Sequence, residues 1–273
     1  SLTFGDTAPA ADVLYSGTTN LDYDDFSEEG DNSEDAVLIG RMTFGSTEVG
    51  LSYAIDDANG APNDNDLAQL QVGVAGSAGS VSYTLGYQST EGTDDSIMAA
   101  SVSTSFGGAD VKLSYTTSDD ASAAASTVND GSSIGLQVTY PIGDLKVTAF
   151  FVSNSPDAGS RDDNYGLAVA YASGPLSVNA HMHDGYDQEN NIQIGYDMGN
   201  GLKLMAGYEE SDDTPGTSKN QNGDDGTYVG ATYDLGGGAT AKVTFADAET
   251  EGGEEIGSDE IKDGLTVSLS LAF

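Results

Sequence analysis

Residues 134–151 read IGLQVTYPIGDLKVTAFF, and this stretch decides the fold. Ile134, Leu136, Val138 and Tyr140 fall on one face of an extended chain, and Leu145, Val147, Ala149 and Phe151 do the same after a gap at Pro141–Asp144. The positions between them, such as Gln137, Thr139, Lys146 and Thr148, are mostly polar. Apolar residues at a spacing of two on both sides of a Pro- and Gly-containing gap predict an antiparallel hairpin of two strands with a tight turn.

The same unit repeats along the chain. Val49, Leu51, Tyr53 and Ile55 share a face, as do Val81, Tyr83, Leu85 and Tyr87. Later runs include Tyr165 to Tyr171, Leu176 to Met182, Ile192 to Met198 and Leu265 to Phe273. Fifteen such runs follow residue 35, and SLTFG at the start makes a sixteenth that is too short to span a bilayer. A tilted membrane-spanning strand needs about 9 to 11 residues, and most of the others reach or approach that length. The gaps alternate strictly. Short ones such as Gly45–Thr47, Ser77–Ser80, Gly107–Asp110 and Gly236–Gly238 are Gly-, Pro- and Ser-rich, whereas Asp56–Asp66, Ser118–Ser132, Glu209–Gly226 and Asp247–Asp263 are long. Tight turns at one end and long loops at the other make an up-and-down meander and argue against a Greek-key sandwich. No domain boundary or linker is visible, so residues 1–273 read as one domain.

The chain has 273 residues, with 45 acidic and 8 basic side chains and a formal net charge of −37. Phosphates would be repelled, which excludes nucleic acid as a partner, and anionic lipid would not attract such a surface. What remains is an attraction for cations or solubility in a salty medium. There is no Cys, so no disulfide scaffold and no thiolate metal site. No apolar stretch is long enough for a transmembrane helix, which leaves a β-barrel open. Ten acids lie in Asp6–Asp35 and thirty in the later long gaps; only Glu48, Asp110, Asp144, Asp197 and Asp234 lie elsewhere. The strands are almost free of negative charge, and one end of the meander holds nearly all of it.

In a soluble sandwich the apolar face would be core; in a membrane barrel it faces lipid and the polar face lines water. Aromatics such as Phe44, Tyr87, Phe106, Tyr115, Tyr140 and Phe151 sit near the ends of the apolar faces, as interfacial girdles would. The expected fold is therefore all-β: a transmembrane antiparallel up-and-down barrel of about 16 strands.

Two stretches carry a family resemblance. GLTVSLSLAF at 264–273 ends on Phe273 with alternating apolar residues, as the assembly signal of outer-membrane barrels does. SLTFGDTAPAADVLY at 1–15 is similar to the strand that leads into the third loop of Gram-negative general diffusion porins, most like those of marine and alphaproteobacterial type. The resemblance implies that this loop folds inward and constricts the pore. It also implies a homotrimer in the bacterial outer membrane amid lipid and lipopolysaccharide, with long loops extracellular and tight turns periplasmic. Small hydrophilic solutes and ions would cross it passively. In the family a few strands normally precede this loop, so Ser1 reads as the start of a mature or truncated chain with upstream strands missing.

Candidate functional residues follow. Asp12, Asp22, Asp24, Asp25, Glu28 and Glu29 are the acids expected at the constriction, where clustered carboxylates favour cations. Arg41, Lys112, Lys146, Lys203 and Lys242 all fall on the polar phase close to tight turns, which predicts a basic band low in the lumen, paired locally with Glu48, Asp110 and Asp144 or simply balancing charge there. His181 and His183, the only two His residues, share the polar face, and with Asp184 they could hold a transition metal. Acidic doublets in the loops, such as Asp119–Asp120 and Asp162–Asp163, suit Ca²⁺ or Mg²⁺ bridging, though none has EF-hand spacing. No other cofactor is implied. A P-loop, an H-E-x-x-H motif and a Cys nucleophile are all absent, so no enzyme is expected. Two alternatives remain: a substrate-specific channel, for which only Phe150 and Tyr228 supply lumen-phase aromatics, and a soluble all-β, Ca²⁺-dependent surface or adhesion protein.

Overall fold

The computed structural model describes residues 1–5, 7–24, 26, 36–55, 69–90, 96–119, 130–157, 160–185, 188–211, 225–249, 255–256 and 261–271. Asp25, Glu28, Glu29 and Phe273 lie outside the described residues.

A four-residue strand β1 (Leu2–Gly5) precedes a short helix α1 (Ala10–Leu14). Next come β2 (Ala36–Phe44), β3 (Thr47–Ile55), β4 (Gln69–Ala78), β5 (Val81–Thr90), β6 (Ser96–Phe106) and β7 (Ala109–Asp119). They are followed by β8 (Gly131–Ile142), β9 (Leu145–Pro156), β10 (Asn164–Ser173), β11 (Leu176–Asp184), β12 (Glu189–Asp197) and β13 (Leu202–Ser211). The chain continues through β14 (Asp225–Gly236), β15 (Ala239–Glu249), the two-residue strands β16 (Glu255–Ile256) and β17 (Ile261–Lys262), and β18 (Gly264–Leu271). Sixteen strands form one sheet in chain order from β1 to β15 and then β18, while β16 and β17 pair with each other. Each strand thus neighbours the one before it, as the alternation of short and long gaps predicts. The tight turns need positive φ; Gly107 and Gly108, at +62° and +85°, are free to adopt it because they lack a Cβ.

Two compact units divide the chain: Ser1–Val138 with Phe150–Asp163, and Thr139–Ala149 with Asn164–Phe273. In both, the apolar phase of the strands is exposed, and in the first the polar phase is buried, an inversion relative to a soluble protein. Leu51, Leu85, Phe106, Ile194 and Phe245 are exposed at 44 to 81 %, whereas Ser52, Gln71, Ser114 and Thr116 are at most 1 % exposed. A β-sandwich with water outside would do the opposite. An apolar outer face is stable only against lipid, so this inversion removes the soluble reading of the pattern. No helix among the described residues is long and apolar enough to cross a membrane.

Candidate functional site: a segment laid across the polar face

After β1 the chain does not run out into solvent. Residues 7–24 turn back over the polar face of the first unit. Pro9 sits at the N-cap of α1 with φ −66°, Ala10 and Ala11 are good helix formers, and Asp12 lies in the first turn, where the helix dipole favours negative charge. Ala10, Ala11, Leu14, Leu21, Tyr23 and Phe26 are buried against the wall.

The wall supplies an anchor from seven consecutive strands. The Ala10 backbone N–H donates to Ser52 Oγ of β3 at 2.8 Å and that of Ala11 to Gln71 Oε1 of β4 at 3.1 Å; Gln71 is held in turn by Gln88 of β5 at 2.8 Å. Ser16 N–H donates to Thr84 Oγ1 of β5 at 3.2 Å, and Ser101 Oγ of β6 donates to the Ser16 carbonyl at 2.8 Å. Lys112 Nζ of β7 donates to Ser16 Oγ at 3.0 Å and to the Gly17 carbonyl at 2.9 Å. Thr19 places its N–H and hydroxyl on Gln137 Oε1 of β8, both at 2.9 Å. Asn154 of β9 donates to Asp22, and Thr116 of β7 donates to the Tyr23 carbonyl. Tyr23 has φ +64°, an uncommon backbone state for a bulky residue, and it is over-determined by that bond and by Arg161, whose guanidinium lies 4.9 Å from its ring centre.

Close approach needs a smooth bed, and glycines on the polar phase provide it. A Cβ at Gly73 would lie 2.0 Å from the Ala10 carbonyl oxygen, one at Gly86 2.4 Å from the Phe26 ring, and one at Gly135 2.0 Å from Thr18 Oγ1. A residue larger than glycine at any of these positions cannot coexist with the segment as it lies.

The expected acids have different fates. Asp12 is exposed. Asp22 is nearly buried and pairs with Arg161 at 3.4 Å, so it is an anchor as much as a charge. Asp24 is half-buried beside Tyr15, whose hydroxyl pKa is pushed well above its ordinary value, first by burial and then by the Asp24 charge. Arg161 was missed in the sequence; its one signal is a lone cation in the acidic run SRDDN.

The basic residues do not act alike. In the first unit Arg41 Nε pairs with Glu48 at 2.7 Å, and Lys112 is fastened to the segment. In the second, Lys203 and Lys242 flank Thr232 on adjoining strands, and Lys146 is exposed. Asp110 and Asp144 accept from Ser105 and Ser173 respectively. Also in the second unit, His181 and His183 stack 5.8 Å apart, with Glu189 between their Nε2 atoms and β12. Asp184 falls on the other phase, where it accepts from Tyr165, from the Gly185 N–H and from Gln188. Both lumen-phase aromatics are covered: Phe150 packs with Leu21 and Val152, and Tyr228 with Ile256 and Ile261 of the small β16–β17 hairpin.

A family model for Gram-negative porins matches residues 1–191. The chain belongs to the Gram-negative porin family. No curated protein matches it. Among solved structures the porin is similar to the outer membrane protein OpdK from Pseudomonas aeruginosa, at 11 % identity over 86 % of this chain and 78 % of that one, with a TM-score of 0.52. It is similar to an anion-selective porin from Comamonas acidovorans, at 15 % identity over 88 % and 89 % of the two chains, TM-score 0.50. A triple mutant of the Rhodopseudomonas blastica porin shares 13 % identity over 86 % and 88 %, TM-score 0.49. The likeness is one of fold: the antiparallel up-and-down barrel of outer-membrane porins. A Gram-negative porin is an outer-membrane channel and not an enzyme, which makes the polar face of its strands the face toward the pore.

Proposed function

We propose that this porin is a general diffusion channel with a preference for cations, constricted by residues 10–24 and selective through the carboxylates that the segment carries. The observation that carries the reading is the exposed Asp12 on a segment stitched across seven strands of the pore-facing wall. Asp24 adds a second carboxylate, while the Asp22 charge is largely met by Arg161. Low-dielectric walls focus the field of such groups, and the chain's 45 acids against 8 bases leave few cations to oppose it. Lys146, Lys203 and Lys242 moderate the preference from the second unit. The family resemblance supports a homotrimer, with long loops outside and tight turns toward the periplasm. A sugar-specific channel would want exposed aromatics along its path, and Phe150 and Tyr228 are both buried.

The test is the zero-current potential across a KCl gradient in planar bilayers. The reading predicts a potential of the sign set by K⁺, reduced in Asp12→Asn. A potential set by Cl⁻ overturns it.

A further inference from the structure

The second unit carries a constellation that passive diffusion does not use. His181 and His183 of β11 project from the polar phase with their rings 5.8 Å apart and 7° from parallel. Strand register puts Glu189 of β12 directly opposite His183. Its carboxylate reaches both rings: Oε1 is 2.6 Å from His181 Nε2, and Oε2 is 3.8 Å from His183 Nε2. One ligand atom from each of the three residues lies within 4.8 Å of the others.

We propose that His181, His183 and Glu189 form a binding site for a divalent transition-metal ion of the zinc class on the pore-facing wall of β11 and β12. Two imidazole nitrogens and one carboxylate oxygen are a donor set for Zn²⁺, with a fourth position open to water. Ligand atoms of a tetrahedral zinc site stand about 3.4 Å apart, given bond lengths of about 2.1 Å. The present spacings, from 2.6 Å up to at most 4.8 Å, bracket that value, and reaching it takes a shift of the Glu189 carboxylate away from His181 together with an inward turn of the imidazoles. Two further observations support it. On β10 the register partners of His183 and His181 are Gly166 and Ala168, so no large side chain fills the space beside the rings. On the other side Asn191 stands opposite His181 and donates to Glu209 at 3.1 Å, placing another negative charge near the site. Paired imidazoles distinguish the site from the acidic loops: hard Ca²⁺ and Mg²⁺ prefer all-oxygen shells, whereas Zn²⁺ takes nitrogen.

The experiment is a calorimetric titration of ZnCl₂ into the full chain, folded in detergent at neutral pH, with excess Mg²⁺ present to occupy loop carboxylates. The expected result is one saturable site per chain, weakened by at least about tenfold in His183→Asn and in Glu189→Gln, since even the loss of an outer-shell partner costs a metal site that much. Absence of a saturable site overturns the proposal. So does a site of unchanged affinity in the His181→Asn/His183→Asn double variant, which would put the metal on the loops. Should the variants fail to fold, Co²⁺ added to the unaltered protein decides: the visible absorption of a four-coordinate cobalt site, abolished by Zn²⁺, supports the proposal, and its absence overturns it.

Discussion

Lys112 of β7 and Ser16 of the overlying segment are ninety-six residues apart in sequence, yet Lys112 Nζ donates to Ser16 Oγ at 3.0 Å and to the neighbouring Gly17 carbonyl at 2.9 Å. A lysine placed by its strand phase in a basic band is thereby a clamp on the overlying segment. Hydrogen bonds from a charged donor contribute about 1.5 to 3 kcal/mol each, and partial exposure puts these at the lower end. Lys112→Met should therefore loosen the segment: open-channel current noise rises and the detergent-solubilised protein melts earlier. Quiet single-channel records with an unchanged melting temperature would show that the clamp is idle.

The glycine bed gives a sharper perturbation. Gly73→Val would drive a side chain into the Ala10 carbonyl, where even a Cβ has only 2.0 Å. Overpacking of this kind costs about 1 to 3 kcal/mol, and the segment can relieve it only by lifting. Single-channel conductance should change by a clear step in Gly73→Val, while a comparable change at Gly195, which faces only Ser177, leaves it alone. Equal conductance in both variants would contradict the packing described.

Asp22 and Arg161 offer a double-mutant cycle. Their side chains are 11 % and 13 % exposed, so removing one partner takes the ion-pair partner from a mostly buried charge, at a cost of up to about 3 kcal/mol because other contacts remain. Asp22→Asn and Arg161→Gln should each destabilise the protein in urea, and the pair together by less than the sum. Ion preference should fall less in Asp22→Asn than in Asp12→Asn. A larger selectivity loss at Asp22 would reassign the pore charge to it.

Tyr15 predicts an alkaline signature. Its pKa in the folded chain is raised above the unfolded value of about 10 by burial, with Asp24 adding to it. The folded state therefore holds its proton more tightly, so the stabilisation is full below about pH 10 and is lost as pH climbs toward the folded pKa. Denaturation midpoints should fall above pH 10 in the parent protein and fall less in Tyr15→Phe. Parallel pH profiles would remove Tyr15 from the account.

The strands and turns were legible because a barrel wall has one solvent on each face, and period 2 survives wherever one face must be apolar. Gly107, Gly143 and Gly174 marked turns for the simple reason that φ > 0 excludes a Cβ. The helix at Ala10–Leu14 was not legible: five residues give no period, and its stability comes from Ser52 and Gln71 on strands far along the chain. Arg161 was hidden for a similar reason, since nothing in SRDDN points to Asp22. The histidine site shows where sequence spacing misleads. Asp184 is adjacent to His183, but adjacency on a strand means the opposite face, and the carboxylate that joins the pair comes across the hairpin from Glu189. Likewise Phe150 and Tyr228 read as pore-lining by phase, yet chain folded over them from Leu21 and Ile256 removes them from the pore.

The central claim is that residues 10–24 rest on the wall while the channel conducts. The chain has no native cysteine, and a Cβ at Gly50 would lie 3.1 Å from Ala10 Cβ, a few tenths of an ångström inside the spacing of a disulfide, so a small outward shift, which also clears Leu14, allows the bond. Single-channel conductance of the Ala10→Cys/Gly50→Cys variant, compared before and after reduction, tests the claim directly. The account predicts that the disulfide forms under mild oxidation and that the locked and reduced channels conduct alike. Failure of the pair to cross-link in folded protein, or a conductance that changes severalfold on reduction, would contradict it.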